Sequence, residues 1–246
     1  MRITYRRKNV KEYWKERWES IPSDKAMKNV NVYPLKYSEL IIKEKGSRIL
    51  EAGCGAGRIL RYYSDLNYDI YGIDYIESAI IKLQKTDPNL NVSVGDITNL
   101  NFPNKYFKYV LAFGLYHNLE NGLHEAILET KRVLKKGGYV CASFRADNIQ
   151  NKLVDYLSLR KQREITNKSP KKFHKLNLTK DEFSALFSSK GFNVISVDPV
   201  VNMPLLYKFK IFRHSSQKVF NEGKGRMEGY KLSFIGSSLQ KILMFF

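Results

Sequence analysis

Cysteine is nearly absent from this chain. Of 246 residues, only Cys54 and Cys141 are cysteines. Both fall in apolar stretches, so they read as buried thiols of a reducing compartment, not as a disulfide or a metal site. Histidine is scarce too. His117, His124, His174 and His214 are scattered without ligand spacing, and no metal is expected. No apolar run approaches the roughly 18–20 residues that a membrane span needs. The segment from Met1 to Lys8 carries charge but no apolar stretch of a secretory leader, so a cytoplasmic protein is expected. There are no internal repeats and no low-complexity tracts.

Acids are also in short supply. Lys and Arg number 42 against 24 Asp and Glu, for a net charge of +18. The excess is uneven. Residues 51–150 hold 11 basic and 11 acidic side chains, so this stretch is neutral. Residues 1–17 hold seven basic and two acidic groups, residues 160–175 seven and one, and residues 207–246 eight and two. A neutral centre with basic flanks suggests an anionic partner: RNA, a membrane surface or an anionic substrate. The competing explanation is compositional drift, since the chain is rich in Lys, Asn, Ile, Tyr and Phe.

Against these absences stands one dense motif. Residues 49–58 read Ile-Leu-Glu-Ala-Gly-Cys-Gly-Ala-Gly-Arg. A short apolar run ending at clustered glycines predicts a buried parallel strand that breaks into a tight turn. Gly53, Gly55 and Gly57 follow the pattern G-x-G-x-G. The dinucleotide fingerprint is G-x-G-x-x-G, and a phosphate loop would end in Gly-Lys-Ser/Thr. Glu51, just before the turn, would repel a pyrophosphate but suits a ligand with an ammonium group.

Three more short strands end near functional groups. Asp69–Asp74 ends in an acid 21 residues after Gly53. A carboxylate at that point of a βαβ unit is placed to accept from both hydroxyls of a ribose. Asn91–Asp96 also ends in an acid, able to take the exocyclic amine of an adenine. Tyr106–Gly114 is a fourth strand, and a helix then leads through Leu134-Lys-Lys-Gly-Gly138 to a fifth, Tyr139–Phe144. Gly137-Gly138 reads as the stop of that helix. Strands alternating with amphipathic helices predict an α/β fold, a Rossmann-like, doubly wound, mostly parallel sheet flanked by helices. The glycine turn and three carboxylates outline a ligand with a nucleoside and a cationic amino-acid part.

Residues 45–145 resemble a class I methyltransferase dependent on S-adenosylmethionine (SAM), of the branch that includes ubiquinone- and menaquinone-biosynthesis enzymes. The matching pieces are Leu50-Glu-Ala-Gly-Cys-Gly-Ala-Gly57, Gly72-Ile-Asp74, Gly95-Asp96 and Arg132-Val-Leu-Lys-Lys-Gly-Gly138, in the family's order and spacing. The resemblance implies SAM as cofactor and S-adenosylhomocysteine as product. It implies that Gly53, Gly55 and Gly57 line the methionine part, with Glu51 beside them. Asp74 would hold the ribose, Tyr75 or Ile76 would touch the adenine, and Asp96 with Ile97 would hold its edge. Phe113 and Gly114 would offer carbonyls to the amino group. Lys108 departs from the family, where many members carry an acid.

The flanks organise the rest. Residues 1–45 are expected to form an N-terminal helical lid segment. Residues 9–20 read as a helix with Val10, Tyr13, Trp14 and Trp18 on one face, and both tryptophans of the chain lie there. Residues 46–200 are the expected SAM-binding α/β domain, with a polar, basic insertion at about 146–178. Thr179-Lys-Asp-Glu182 fits a capping box. Its helix would lead to a sixth strand, Phe192–Val197. Residues 201–246 are a basic, aromatic C-terminal extension with no convincing seventh strand.

Residues after the fourth strand usually meet the substrate in such folds, and here they are Gly114-Leu-Tyr-His-Asn-Leu-Glu120. Tyr116 and His117 are the catalytic candidates, with His117 as general base to an oxygen or nitrogen nucleophile. No Asn/Asp-Pro-Pro-Tyr/Phe motif follows, which argues against methylation of adenine or glutamine amides. The expected acceptor is a small or lipid- or sugar-linked metabolite, with the protein cytoplasmic or peripheral at the membrane. The alternative is an RNA (tRNA) methyltransferase whose basic flanks bind phosphates.

Overall fold

A computed structural model describes residues 1–6, 10–165 and 171–245, without the side chains of 159–165 and 245. The basic side chains of Arg7, Lys8, Arg160, Lys161 and Arg163 therefore lie outside the described residues.

The chain opens with β1 (Arg2–Arg6), α1 (Val10–Ser20) and α2 (Leu35–Ile41). The central unit then alternates: β2 (Ile49–Ala52), α3 (Arg58–Asp65), β3 (Ile70–Asp74), α4 (Glu77–Thr86), β4 (Val92–Val94), β5 (Phe107–Ala112), α5 (Leu123–Val133) and β6 (Leu134–Ala142). It continues with α6 (Ile149–Ile165), β7 (Lys172–Asn177), α7 (Lys180–Ser188), three 3₁₀ turns, α8 (Glu222–Glu228) and α9 (Phe234–Phe245).

Strands β2 to β6 form one parallel sheet in the order β4-β3-β2-β5-β6. Alternate side chains of a strand face opposite sides, and the core follows that rule. Ile49, Tyr109 and Leu111 pack on the side of α2, α3 and α4 with Leu35, Leu60, Tyr63 and Leu83. Leu50, Val110 and Ala112 face the other side, where α5 and α7 bring Ala126, Ile127, Val133 and Phe187. Both faces are covered, as a parallel sheet requires.

Three features differ from the sequence reading. Gly137-Gly138 is not a helix stop. α5 ends at Val133, Leu134 is already extended, and the glycines lie inside β6. Gly137 takes φ +69°, and the register of β6 on β5 slips nearby, so the pair forms a bulge. Second, Phe192–Val197 is not a strand of the sheet. Phe192 and Val194 pack on the core, but the segment makes no ladder, so β6 has no outer strand partner among the described residues. Its alternation reflects one apolar side, not backbone pairing.

Third, the described part of the insertion has regular structure. It holds α6 and β7, and β7 pairs antiparallel with β1 in a second, two-stranded sheet. The strand β1 alternates polar and apolar residues, but over only five positions, and the sequence reading placed it in a helical segment. The capping box is present as read: Thr179 accepts from the Glu182 amide, and Glu182 accepts from the Thr179 amide. The C-terminal extension packs as short helices and turns, with no strand of the sheet among its described residues.

Candidate active site

The parallel register gathers the strand ends. Ile49 pairs with both Ile70 and Tyr109, which places Glu51 beside Gly72 and Leu111. β3 and β4 lie on one side of β2, and β5 and β6 on the other. The carboxyl end of β2 is thus the switch point, where open α/β sheets bind ligands. The glycine turn leaves β2 at that point. Gly53, Gly55 and Gly57 have φ of +74°, +52° and +70°, which side chains disfavour. The amides of Gly53 and Cys54 donate to the Ile73 carbonyl at 2.8 and 2.9 Å, tying the turn to β3.

The three acids sit around this turn, and each has a distinct environment. Glu51 is 6% exposed, and its Oε2 has no hydrogen-bond partner. Burial pushes its carboxyl up to about 8; the Leu60 backbone and Arg58 oppose the shift and Asp74 adds to it. Glu51 is therefore mostly neutral at pH 7. Asp74 is buried, its Oδ2 accepting from the Gly55 amide at 2.8 Å and its Oδ1 from the Ile76 amide at 2.9 Å. Burial raises its pKa, and those two amides restrain the rise. Asp96 is exposed, and its Oδ1 accepts from the Thr98 amide and hydroxyl, both at 2.8 Å.

All three acids line one cleft of about 2600 Å³, together with Gly53, Tyr75, Ile76, Ile97, Phe113 and Gly114. That volume exceeds the roughly 300–1,000 Å³ of a ligand pocket. The same cleft is also lined by Tyr139 and Cys141 of β6, by Ser143 just after it, and by Ile195 and Val197. Gly114 is held by two contacts. Its amide donates to Ser143 Oγ at 2.8 Å, and its carbonyl accepts from Asn118 Nδ2. Ser143 in turn bonds the Tyr33 hydroxyl at 2.7 Å. Tyr33 and Ser143 carry no motif that would mark them in the sequence.

Helix α1 lies over the glycine turn. A Cβ placed on Gly55 would fall 2.4 Å from Cζ2 of Trp18, so the indole rests directly on that glycine. Trp14 stacks on Trp18 with ring centroids 5.1 Å apart. Lys82 of α4 caps the end of α1, donating to the carbonyls of Trp18, Glu19 and Ile21 at 3.1, 3.0 and 2.6 Å. Lys11 sits 4.4 Å from the Tyr75 ring centroid, and Arg17 pairs with Glu222 of α8. Yet none of the 11 residues of α1 is buried.

Some expected positions move. Gly55 and Gly57 do not line the open cleft; Trp18 covers the first, and Leu83 packs on the second, 2.6 Å from where its Cβ would stand. Tyr116 is corrected outright. It is fully buried, its hydroxyl bonds Thr130 Oγ1 at 2.7 Å, and its ring packs on Phe187, so it does not reach the cleft. It sits in a 3₁₀ turn, Tyr116–Asn118. His117 does line the cleft. It is 8% exposed, packs against Phe144, and its Nδ1 has no hydrogen-bond partner. Burial and the nearby Lys175, Arg145 and His174 hold it well below its ordinary pKa, so it is neutral.

The neighbours of His117 come from the small sheet, which sequence reading left as an irregular insertion. Arg6 of β1, Arg145 after β6, and His174 and Lys175 of β7 all line the cleft. Arg145 is neutralised by Asp155, with Nη1 and Nη2 at 2.9 and 2.8 Å from its two oxygens. Among the described residues, no group of His, Cys, Asp and Glu has a geometry for metal, and no helix is long and apolar enough to cross a membrane.

The profile of a methyltransferase domain matches residues 50–142, from β2 through β6, which hold the glycine turn and all three acids. Residues 50–142 are a class I SAM-dependent methyltransferase domain. The methyltransferase domain is 37% identical over 81 residues to a methyltransferase of Schizosaccharomyces pombe, covering 31% of this chain and 56% of that one. It is 36% identical over 99 residues to the tRNA (carboxymethyluridine(34)-5-O)-methyltransferase of Arabidopsis thaliana, covering 39% of this chain and 23% of that one. The chain spans about half the length of the first of these curated relatives. Among solved structures, a chain of the complex between the Haloferax volcanii Trm112 methyltransferase activator and a methyltransferase has a TM-score of 0.57. It covers 90% of this chain and 92% of that one at 16% identity, a likeness of fold.

The cofactor of this family is SAM, and the residues present fit it. Glu51 offers a buried oxygen without a partner, which suits an ammonium. Gly53 lines the cleft at φ +74°, where a side chain is disfavoured, and Asp74 and Asp96 stand at the next two strand ends.

Proposed function

We propose that this chain transfers a methyl group from SAM to an oxygen or nitrogen of a small or lipid- or sugar-linked metabolite. The observation that carries it is the meeting of the glycine turn with Glu51, Asp74 and Asp96 in one cleft, with Glu51 Oε2 left unpartnered. Glu51 would receive the methionine ammonium, Asp74 the ribose hydroxyls, and Asp96 with Ile97 the adenine edge. Tyr75 and Ile76 flank the adenine, and the Phe113 and Gly114 backbone completes the methionine end. SAM supplies an electrophilic methyl on a sulfonium.

The chain's own residues then position the acceptor and exclude water. α1 closes over the turn through Trp18. His117 is neutral with a free Nδ1, so it accepts a hydrogen bond from the acceptor's O–H or N–H. Its depressed pKa makes it a weak base before substrate arrives. Orientation is therefore its first role. The test is methyl transfer from labelled SAM into fractionated extract, with label expected in the small-molecule or lipid fraction.

A second reading, RNA methylation, is favoured by one observation: similarity to the Arabidopsis tRNA methyltransferase, combined with basic flanks. Label in the RNA fraction would establish it instead. Salt separates the two, since phosphate-backbone binding weakens steeply between 50 and 200 mM salt. The resemblance to the ubiquinone and menaquinone branch bears on the acceptor only as a further candidate class.

A further inference from the structure

We infer that Arg6 and Lys175, with His117 between them and the methyl-donor site, form an oxyanion subsite that holds a phosphate or carboxylate of the acceptor. The inference rests on the methyltransferase reading and names the acceptor's charge.

The subsite is built by the small sheet. Antiparallel pairing of β1 with β7 sets Tyr5 opposite Phe173 and Arg6 opposite Lys172, and brings the end of β1 to the cleft. Arg6, Arg145 and Lys175 line the cleft there, and Arg2, which does not line it, shares Asp155 with Arg145. Two carboxylates face them. Asp147 takes Arg2 Nε at 2.6 Å, and Asp155 takes both Arg2 Nη1 at 3.0 Å and the paired nitrogens of Arg145. Asp147 and Asp155 thus balance the charges of Arg2 and Arg145, although Arg2 Nη2 is left without a partner, and Asp155 reaches Arg6 and Lys175 only as a more distant charge. Arg6 and Lys175 remain, with no ion pair or side-chain hydrogen bond among the described residues.

Both line the cleft, and so does His117, which is more than nine-tenths buried with Nδ1 unpartnered. Uncompensated charge in a partly dry cleft is costly unless a counter-charge arrives. Burial and the neighbouring arginines hold Lys175 down to about 7, and His174 is pushed down with it. An oxyanion would relieve this through charge-assisted hydrogen bonds to the guanidinium and ammonium. His117 is 3.7 Å, through Cε1, from where a Cβ of Gly114 would stand, so the subsite adjoins the methionine end of the cofactor cleft. An acceptor anchored there by its anion would place its nucleophile toward the methyl group.

The test titrates inorganic phosphate, and separately acetate, into the full chain by calorimetry at constant ionic strength. Wild type, Lys175→Met, Arg6→Met and Lys175→Arg are compared, with thermal unfolding verifying each fold. Saturable binding is expected in the wild type, at least tenfold weaker in Lys175→Met and in Arg6→Met, and retained in Lys175→Arg. Tighter phosphate than acetate names a phosphate-bearing acceptor; the reverse names a carboxylate. S-adenosylhomocysteine affinity should be the same in all four proteins. Equal phosphate and acetate binding in wild type and both methionine variants, or none in any, overturns the subsite. Loss of S-adenosylhomocysteine binding from the wild type would instead overturn the methyltransferase reading, whatever the anion does.

Discussion

Glu51 moves the pH dependence of cofactor binding from the acid range of an ordinary carboxylate to the neutral range. Its buried carboxyl titrates near 8 instead of 4.5. An ammonium ligand needs the ionised form. SAM binding must therefore remove a proton at neutral pH, and its affinity should rise toward pH 8. Below the folded pKa, each pH unit changes the ionised fraction about tenfold, equivalent to about 1.4 kcal/mol. Between pH 6 and 7, affinity should rise by nearly that factor. An ordinary α-amino group deprotonates near about 8, so the rise ends there. Glu51→Gln keeps the shape and removes the charge. At pH 7.5 it should bind SAM roughly tenfold or more weakly, since a hydrogen bond to a charged group contributes about 1.5–3 kcal/mol. Its affinity should also vary little between pH 6 and 7.

Stability supplies the matching control. A folded pKa above the unfolded one stabilises fully below about 4.5, and that stabilisation is lost as pH rises through about 8. Glu51→Gln should therefore gain stability relative to wild type as pH goes from 5 to 8. The assay is calorimetry in two buffers of different ionisation enthalpy, which counts released protons. A wild-type affinity that is flat from pH 6 to 7.5, with no proton release, would refute the reasoning.

Three other outcomes are expected. Both tryptophans lie on α1, with Trp18 on Gly55, so saturating S-adenosylhomocysteine should shift the emission of the chain; unchanged fluorescence would show that α1 does not move. Asp74→Ala should weaken SAM at least tenfold by calorimetry, as paired charged hydrogen bonds are lost; Asp74→Asn, which keeps an acceptor for the Gly55 or Ile76 amide, should lie between. Leu111→Ala empties a fully buried position in β5 and should cost about 2–5 kcal/mol in urea unfolding; a loss under about 1 kcal/mol would place Leu111 outside the core.

The parts legible in the sequence are those with a local cause. Gly53, Gly55 and Gly57 announce their turn because only glycine takes those φ values freely. Glu51, Asp74 and Asp96 stand out because short apolar strands end beside them. Thr179 and Glu182 cap α7 through contacts three residues apart. The rest depends on partners distant in the chain. β1 exists because β7 pairs with it some 170 residues away; the alternation of Arg2–Arg6 is too short to announce a strand by itself. Tyr116 looked accessible because polar residues surround it; its burial is decided by Thr130 and Phe187. Phe192–Val197 has a strand's alternation but lacks the ladder that pairing would supply. The cation wall was visible only as scattered basic residues, until β1 and β7 brought Arg6 and Lys175 to one cleft.

The central claim is that this cleft binds SAM. Titration of the full chain with SAM at pH 7.5 tests it most directly, with NAD and ATP as controls. The account predicts one saturable SAM site per chain, competed by S-adenosylhomocysteine, with neither control competing. No saturable SAM binding, or equal binding of NAD or ATP at the same site, would contradict it.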